Sequence, residues 1–377
     1  MKRYLLFVAF LFIASSVLLI ADEPENNKLK VKDFSSKDAN TSIDGFNSFF
    51  YNKEMKLYNA TSDKPGRAAI WTQAIYWDMI MNAYLRTKEQ KYYKMINEIF
   101  LGACGQYDNF NWNNTTEWFI YDDIMWWIIS LCRAHQITGE KKYLELAVSG
   151  FDRVWYGSPG IDDRGSYDKE KGGMRWGWKR DEWRGKMACI NYPTVIAAAL
   201  LYQITRREDY LSKSKEIYGW SYNNLYNKST GAVADSKHGD NKPHWRMHLY
   251  NQATCIGSGV ILYEITKESH YLNDAILAAN YVRDEMCDES GFLPYRNGIE
   301  QGVYAAIFAQ YIIQLINCKQ PQYLNWIRHN INNAWNNRDK KRELAFKDFS
   351  KPCPIGKLEV YDASGCPALM QVIPPVK

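Results

Sequence analysis

The chain has 377 residues, room for one large domain or two ordinary ones, and its 46% hydrophobic and 15% aromatic content supports a sizeable core. Its 47 Lys and Arg are well mixed with 42 Asp and Glu, for a net charge of +5. With no basic stripe along the chain, nucleic acid is excluded as an expected partner. The 14 Trp and 27 Tyr combine an apolar ring body with a polar tip, which suits a site that grips sugar rings as well as a large helical core.

The N-terminus opens with Lys2 and Arg3, runs apolar from Tyr4 to Ile20 and turns acidic at Asp22. This pattern reads as a secretory signal peptide over 1–21, followed by a linker over 22–41 and one domain over 42–377. The expectation is an exported protein, periplasmic or extracellular, with no stable membrane insertion after cleavage. An uncleaved anchor is the alternative for this run, and no other stretch reads as long and apolar enough to span a bilayer. Eight cysteines lie between Cys104 and Cys366 without a CxxC pair, which argues against a zinc ribbon or a thioredoxin-like site. Their pairing cannot be read from spacing. Sequons stand at Asn40, Asn59, Asn113, Asn114 and Asn227 and matter only in a host that glycosylates.

Apolar residues recur at three- and four-residue spacing over 69–86, 120–137, 193–205, 250–266 and 302–317, and alternating strand patterns are scarce, so the chain is mostly helical. A weak repeat runs through these segments. An apolar helix ends in Thr, four polar residues follow and a Tyr begins the next helix: TKEQKY from Thr87, TGEKKY from Thr138, TRREDY from Thr205 and TKESHY from Thr266. CKQPQY from Cys318 keeps the spacing without the Thr. The helix before each turn is more apolar than the one after it, which puts the first kind inside and the second outside. The predicted fold is all-α, a closed (α/α)6 toroid of six inner and six outer helices. An open solenoid would need polar capping repeats that neither end of the chain displays.

On the second inner helix the sequence reads YDDIMWWIIS, with Asp122 and Asp123 at the start of a run that is apolar nearly all round and therefore buried. One carboxylate there is explained as a helix cap. Two are not, because adjacent positions point about 100° apart and only one can cap. Close carboxylates at a rim would not both ionise, and a protonated acid beside an ionised carboxylate is what glycoside hydrolysis requires.

Asp-Asp followed by Trp-Trp on this helix resembles the signature of glycoside hydrolase family 76, which contains α-1,6-mannanases. AIWTQAIYWDMIMNAY at 69–84 is similar to that family's first inner helix, with Trp71 and Gln73 toward the rim. EKGGMRWGW at 170–178 is similar to its glycine-rich loop, including Trp176. The stretch from Lys186 through Asn191 to Ala198, YNQATCIGSGVILY at 250–263, and AWNNRD at 334–339 with ALMQVI at 368–373 also agree. The resemblance covers roughly 42–375. It implies a retaining, endo-acting α-1,6-mannanase with no metal and no cofactor, acting as a monomer on α-mannan or manno-oligosaccharides. In that picture Asp122 is the nucleophile and Asp123 the general acid/base. Substrate would be bound by Trp71, Gln73, Tyr121, Trp126, Trp176, Lys186, Asn191, Tyr250, Asn251 and Gln252. Two departures stand out. The family's usual Phe-Lys-Gly near the fifth inner helix is replaced by a segment reading Gln301-Gly302-Val303-Tyr304, and the glycine loop continues into the charged WKRDEWRGK at 178–186.

Rival readings are fewer. His244 and His248 are one helical turn apart, as in some zinc sites, but no zincin Glu accompanies them. The toroid also hosts uronyl hydrolases and sugar epimerases. A non-catalytic mannan-binding protein is the alternative from a different class.

Overall fold

The computed structural model describes residues 31–178 and 185–376, so the expected signal peptide and most of the charged loop at 179–184 lie outside the described residues. From Lys32 onward the chain forms one unit. It is built from helices α1 (Ser36–Phe50), α2 (Ile70–Thr87), α3 (Gln90–Gln106), α4 (Tyr121–Thr138), α5 (Lys141–Tyr156), α6 (Ala188–Thr205), α7 (Glu208–Asn224), α8 (Leu249–Thr266), α9 (Ser269–Tyr281), α10 (Tyr304–Asn317), α11 (Leu324–Asn336), α12 (Val360–Ala363) and α13 (Gly365–Val372). Among the described residues the only strands are two-residue pairs: Tyr51–Asn52 with Leu57–Tyr58, and Lys186–Met187 with Ser236–Lys237.

Helices α2, α4, α6, α8, α10 and α13 each pack on the next, and α13 returns to α2. Outside them stand α3, α5, α7, α9 and α11, with α1 against α13. This is the (α/α)6 barrel that the repeat predicts. The inner helices are covered nearly all round, as Trp77, Trp127, Val195, Ile256 and Phe308 show. The repeat itself is a clip. Thr87 Oγ1 donates back to the Ala83 carbonyl at 2.8 Å and accepts from the Glu89 amide at 3.1 Å. Thr138, Thr205 and Thr266 repeat both bonds. The next residue turns the chain in the left-handed region, at φ 60° for Lys88 and Arg206, 63° for Lys267 and 75° for Gly139. The Tyr five places after each Thr is then buried. The last four carbonyls of a helix lack helical donors, and at each turn the N–H of the left-handed residue covers the first of them, as Lys88 does for Tyr84 at 2.7 Å.

Two boundaries differ from the sequence reading. The domain begins before residue 42, because Ser35 and Asp38 form a reciprocal capping box and Ile43, Phe46 and Phe50 give α1 an apolar face. Helix α6 begins at Ala188 rather than at Pro193, so the proline lies inside the helix. Pro193 has no N–H, and the carbonyl of Cys189 therefore lacks its helical donor. Helix α6 is also long and apolar enough by composition to cross a bilayer, with a mean hydropathy of 1.2 over 18 residues, contrary to the expectation for the chain beyond its N-terminus. It is an inner helix, 72% buried inside the barrel. All eight cysteines are free thiols.

Short clips close one rim of the barrel. At the other, long loops lead from each outer helix to the N-terminus of the next inner helix, and these loops surround the cleft.

Candidate active site

The first amide of α4 is held from outside the helix. Tyr121 N–H donates to the Trp176 carbonyl at 2.9 Å, and Trp178 N–H donates to Phe119 at 3.1 Å, so the glycine loop zips alongside the helix start. Ile120 is the N-cap, and no side chain caps it. Neither Asp122 nor Asp123 therefore serves as the cap. Both occupy the first turn, where the helix dipole favours negative charge.

They open into a cavity of about 500 Å³. Trp71, Trp126, Trp176, Tyr250 and Tyr304 form much of its wall, with Met187, Cys189, Ile299, Glu300 and Gln301. The Trp71 and Trp126 rings lie 6.1 Å apart at 38°, and Tyr250 and Tyr304 stack at 4.3 Å. Asp122 is buried, and its Oδ1 is fully covered without a hydrogen-bond partner. Burial pushes its carboxyl up, while hydrogen bonds from Cys189 and Trp176 pull the other way. Asp123 is half-buried at the cleft. Burial pushes its carboxyl up as well, with the charges of Asp122 and Glu300 adding to the effect. Both carboxyls are thus pushed toward the protonated form, and two such groups side by side do not readily ionise together.

Of the residues expected to bind substrate, Trp71, Trp126, Trp176 and Tyr250 meet in this cleft with the two aspartates. The other six do not line it. The Tyr121 hydroxyl donates to Asp163 in the loop after α5, and Asp163 also takes Arg153 of α5. Gln73 is buried and clamps both backbone groups of Tyr58, at 2.9 and 2.8 Å. Asn191 does the same to Met174, at 2.8 and 3.1 Å, and also donates to the Met187 carbonyl. Asn251 donates to Asp235, and Gln252 to the carbonyls of Gly231 and Ala278. Lys186 pairs with Asp168 at 2.9 Å. The amides are loop anchors: a polar side chain near the start of an inner helix can face the axis or the neighbouring loop, and these face the loop. Asn191 thereby sets the path of the chain two residues before Trp176.

The sequence reading missed Glu300 and Gln301, which precede the helical periodicity, and Tyr304, which stands near its start. The departure at 301–304 was the signal. His248 is buried, 3.7 Å from Asp235, and is held neutral down to about 4 by burial, with Arg296, Arg246 and His244 adding to the effect. Among the described residues no group of three or more His, Cys, Asp or Glu is placed to hold a metal ion.

The model of glycosyl hydrolase family 76 matches residues 35–356. Among solved structures, an α-1,6-mannanase of Salegentibacter sp. HEL1_6 superposes with a TM-score of 0.79 at 21% identity, covering 89% of this chain and 98% of that one. It is a variant inactivated by replacing two consecutive aspartates, in complex with α-1,6-mannotetrose. A family 76 mannosidase from Bacteroides thetaiotaomicron matches with a TM-score of 0.73 at 18% identity, covering 89% of this chain and 96% of that one. Dfg5 from Chaetomium thermophilum, in complex with glucosamine, matches with a TM-score of 0.71 at 15% identity, covering 91% and 90%. No curated protein matches the chain.

Proposed function

The chain belongs to glycosyl hydrolase family 76, and on that premise we propose that it hydrolyses α-mannosidic bonds, cutting α-1,6-mannan internally with retention of configuration. The observation that carries this reading is the pair Asp122–Asp123 in one cleft with Trp71, Trp126, Trp176 and Tyr250. The Salegentibacter enzyme, inactive without two consecutive aspartates and in complex with an α-1,6-linked tetrasaccharide, supports both the pair and the substrate class.

Two steps follow from the surroundings of the pair. In the first, Asp123 gives its proton to the glycosidic oxygen as the bond to the anomeric carbon breaks. Asp122, its Oδ1 uncommitted, bonds to that carbon, and the dipole of α4 favours the anionic carboxylate before attack. In the second, the Asp123 carboxylate takes a proton from water, whose oxygen displaces Asp122 from the same carbon. Two inversions give net retention. Sugar rings present apolar faces to the indoles, so the walls orient the chain while the aspartates act. The same reading has the N-terminal apolar run export the enzyme, which then meets its polysaccharide outside the cytoplasm.

The test is a digest of linear α-1,6-mannan and of branched yeast mannan, with products sized and the configuration of the first product followed by NMR. Internal cutting yields a ladder of oligosaccharides with the α anomer appearing first. Mannan affinity with no reducing ends released would make the protein a binding module and overturn the proposal.

A further inference from the structure

The cleft holds three carboxylates rather than two. Glu300 stands in the turn that leads into α10, directly before Gln301-Gly302, where the expected Phe-Lys-Gly is missing. Its backbone is left-handed, at φ 71° and ψ −18°, a region that a non-glycine residue occupies at the expense of strain and that recurs at functional sites. The next turn residues hold it there. Gly302 packs so closely on α12 that a Cβ would stand 2.8 Å from the backbone N and Cα of Asp362. The carboxylate does not swing out to solvent. Its Oε2 accepts a hydrogen bond from Trp71 Nε1 at 2.7 Å.

Two consequences follow. The indole of Trp71 is fixed by its polar edge, 6.1 Å from the Trp126 ring, so one wall of the cleft is set before any sugar arrives. A like charge also faces Asp123 from across the cleft. Among the described residues, the titratable groups acting around this pair include Asp122 on the same helix, Glu300 from the turn before α10, the Tyr107 phenol from the end of α3, the Tyr361 phenol of α12 beside Glu300, the Cys189 thiol against Asp122, and the Tyr250 phenol of α8 near both Asp122 and Cys189.

Resting on the hydrolase reading above, we propose that Glu300 is a positioning residue for the reaction: it fixes the Trp71 indole as a platform for a sugar ring, and that same bond holds its carboxylate in the cleft of Asp122 and Asp123, where its charge assists Asp123 as the acid of the first step. The sign is settled by electrostatics. Asp123 is pushed up by burial first, then by Asp122 and by Glu300. Removing the Glu300 charge therefore lets Asp123 ionise at lower pH, and the alkaline limb of activity, where the acid is lost, moves to lower pH as well.

The experiment compares wild type with Glu300→Gln and Glu300→Ala. The ionisation of Asp123 is followed by NMR of labelled aspartate carboxyls, assigned with Asp123→Asn, and kcat and KM on α-1,6-mannan are measured across pH. Thermal unfolding of each variant checks that it is folded. Glu300→Gln keeps an acceptor for Trp71 and loses the charge, so the Asp123 titration and the alkaline limb should both fall by about half a pH unit or more while KM changes less than about two-fold. Glu300→Ala loses both functions, so the same shift should come with a KM raised about five-fold or more. An Asp123 titration within about 0.2 unit of wild type in Glu300→Gln, or an unchanged KM in Glu300→Ala, overturns the proposal. The titration needs no turnover. If it stays put in an enzyme that cleaves mannan, the role of Glu300 is refuted alone. If it moves in a protein that releases no reducing ends, the Glu300 charge is supported and the substrate reading fails instead.

Discussion

Asp122 and Asp123 are joined by one peptide bond yet sit in different surroundings, the first buried with an uncommitted oxygen and the second half-buried at the cleft. Their separate roles predict separate mutant behaviour. Asp122→Asn should lower kcat on every mannoside by roughly four orders of magnitude, because no covalent intermediate can form. Asp123→Asn should lower it roughly 10²–10⁴-fold on mannan and far less on an aryl mannoside, whose leaving group departs with little protonation. Steady-state kinetics on both substrates distinguishes them, and near wild-type turnover of mannan by either variant would show the pair to be structural. A stability consequence runs alongside. The folded state holds the Asp123 proton more tightly than the unfolded chain does, so the contribution is fully present below the ordinary carboxylate pKa and is lost as pH rises toward the folded value. Asp123→Asn should then be more stable than wild type at about pH 8, by about 1 kcal/mol or more, and close to it at about pH 4. Urea unfolding at the two pH values measures this, and a gap that does not widen with pH contradicts it. The aspartates could be singled out in the sequence because a cap needs only one carboxylate before an apolar run; in the fold neither is the cap, and both stand at the cleft. Glu300 could not be, because a left-handed turn residue is placed by its loop and by Gly302 rather than by any period.

At the scale of the elements, one rim of the barrel is closed by local chemistry and the other by distant contacts, and the sequence shows only the first. The Thr-to-Tyr clip involves residues five apart, so it could be read directly along the chain. The amide anchors join residues such as Asn191 and Met174, 17 apart, or Gln73 and Tyr58, 15 apart, through loops whose path has no pattern. Each was therefore read as a substrate contact. Helix α6 shows a related failure: Pro193 reads as a helix start, yet the chain was already helical at Ala188. The two rims should respond differently to mutation. Thr138→Ala removes two hydrogen bonds at the far rim and should cost about 0.5–1.5 kcal/mol of stability with kcat and KM unchanged. Asn191→Ala leaves the Met174 amide and carbonyl unpaired beneath the glycine loop, and should cost about 1–3 kcal/mol and also raise KM through Trp176. Denaturation midpoints together with KM values check both. A Thr138→Ala variant with impaired catalysis would show that the clips are not independent of the cleft.

The barrel from Lys32 onward is a ring whose last inner helix must meet its first. Helix α13 touches α10 on one side and α2 on the other, with α1 laid over it from outside. Residues 332 and 285 positions apart are joined there: Gln371 donates to the Ala39 carbonyl at 2.9 Å, and Arg86 reaches the Gln371 side chain. In an open solenoid each repeat touches only its neighbours, and stability is a sum along the chain. Closure removes the free ends, so damage at the seam cannot stay local. Phe46 lies in that seam, with none of its surface exposed and with its ring 5.7 Å from that of Tyr76 on α2. Phe46→Ala should cost about 3–5 kcal/mol. The loss should appear as one earlier transition, with helix content and tryptophan fluorescence falling together, although many of the indoles stand around α4 far along the chain. The measurement is denaturation of wild type and variant followed by both probes. If the variant instead loses part of its helix first while the indoles around Asp122 and Asp123 stay buried, the seam melts as an independent end, and the barrel behaves as an open array that happens to curve round on itself.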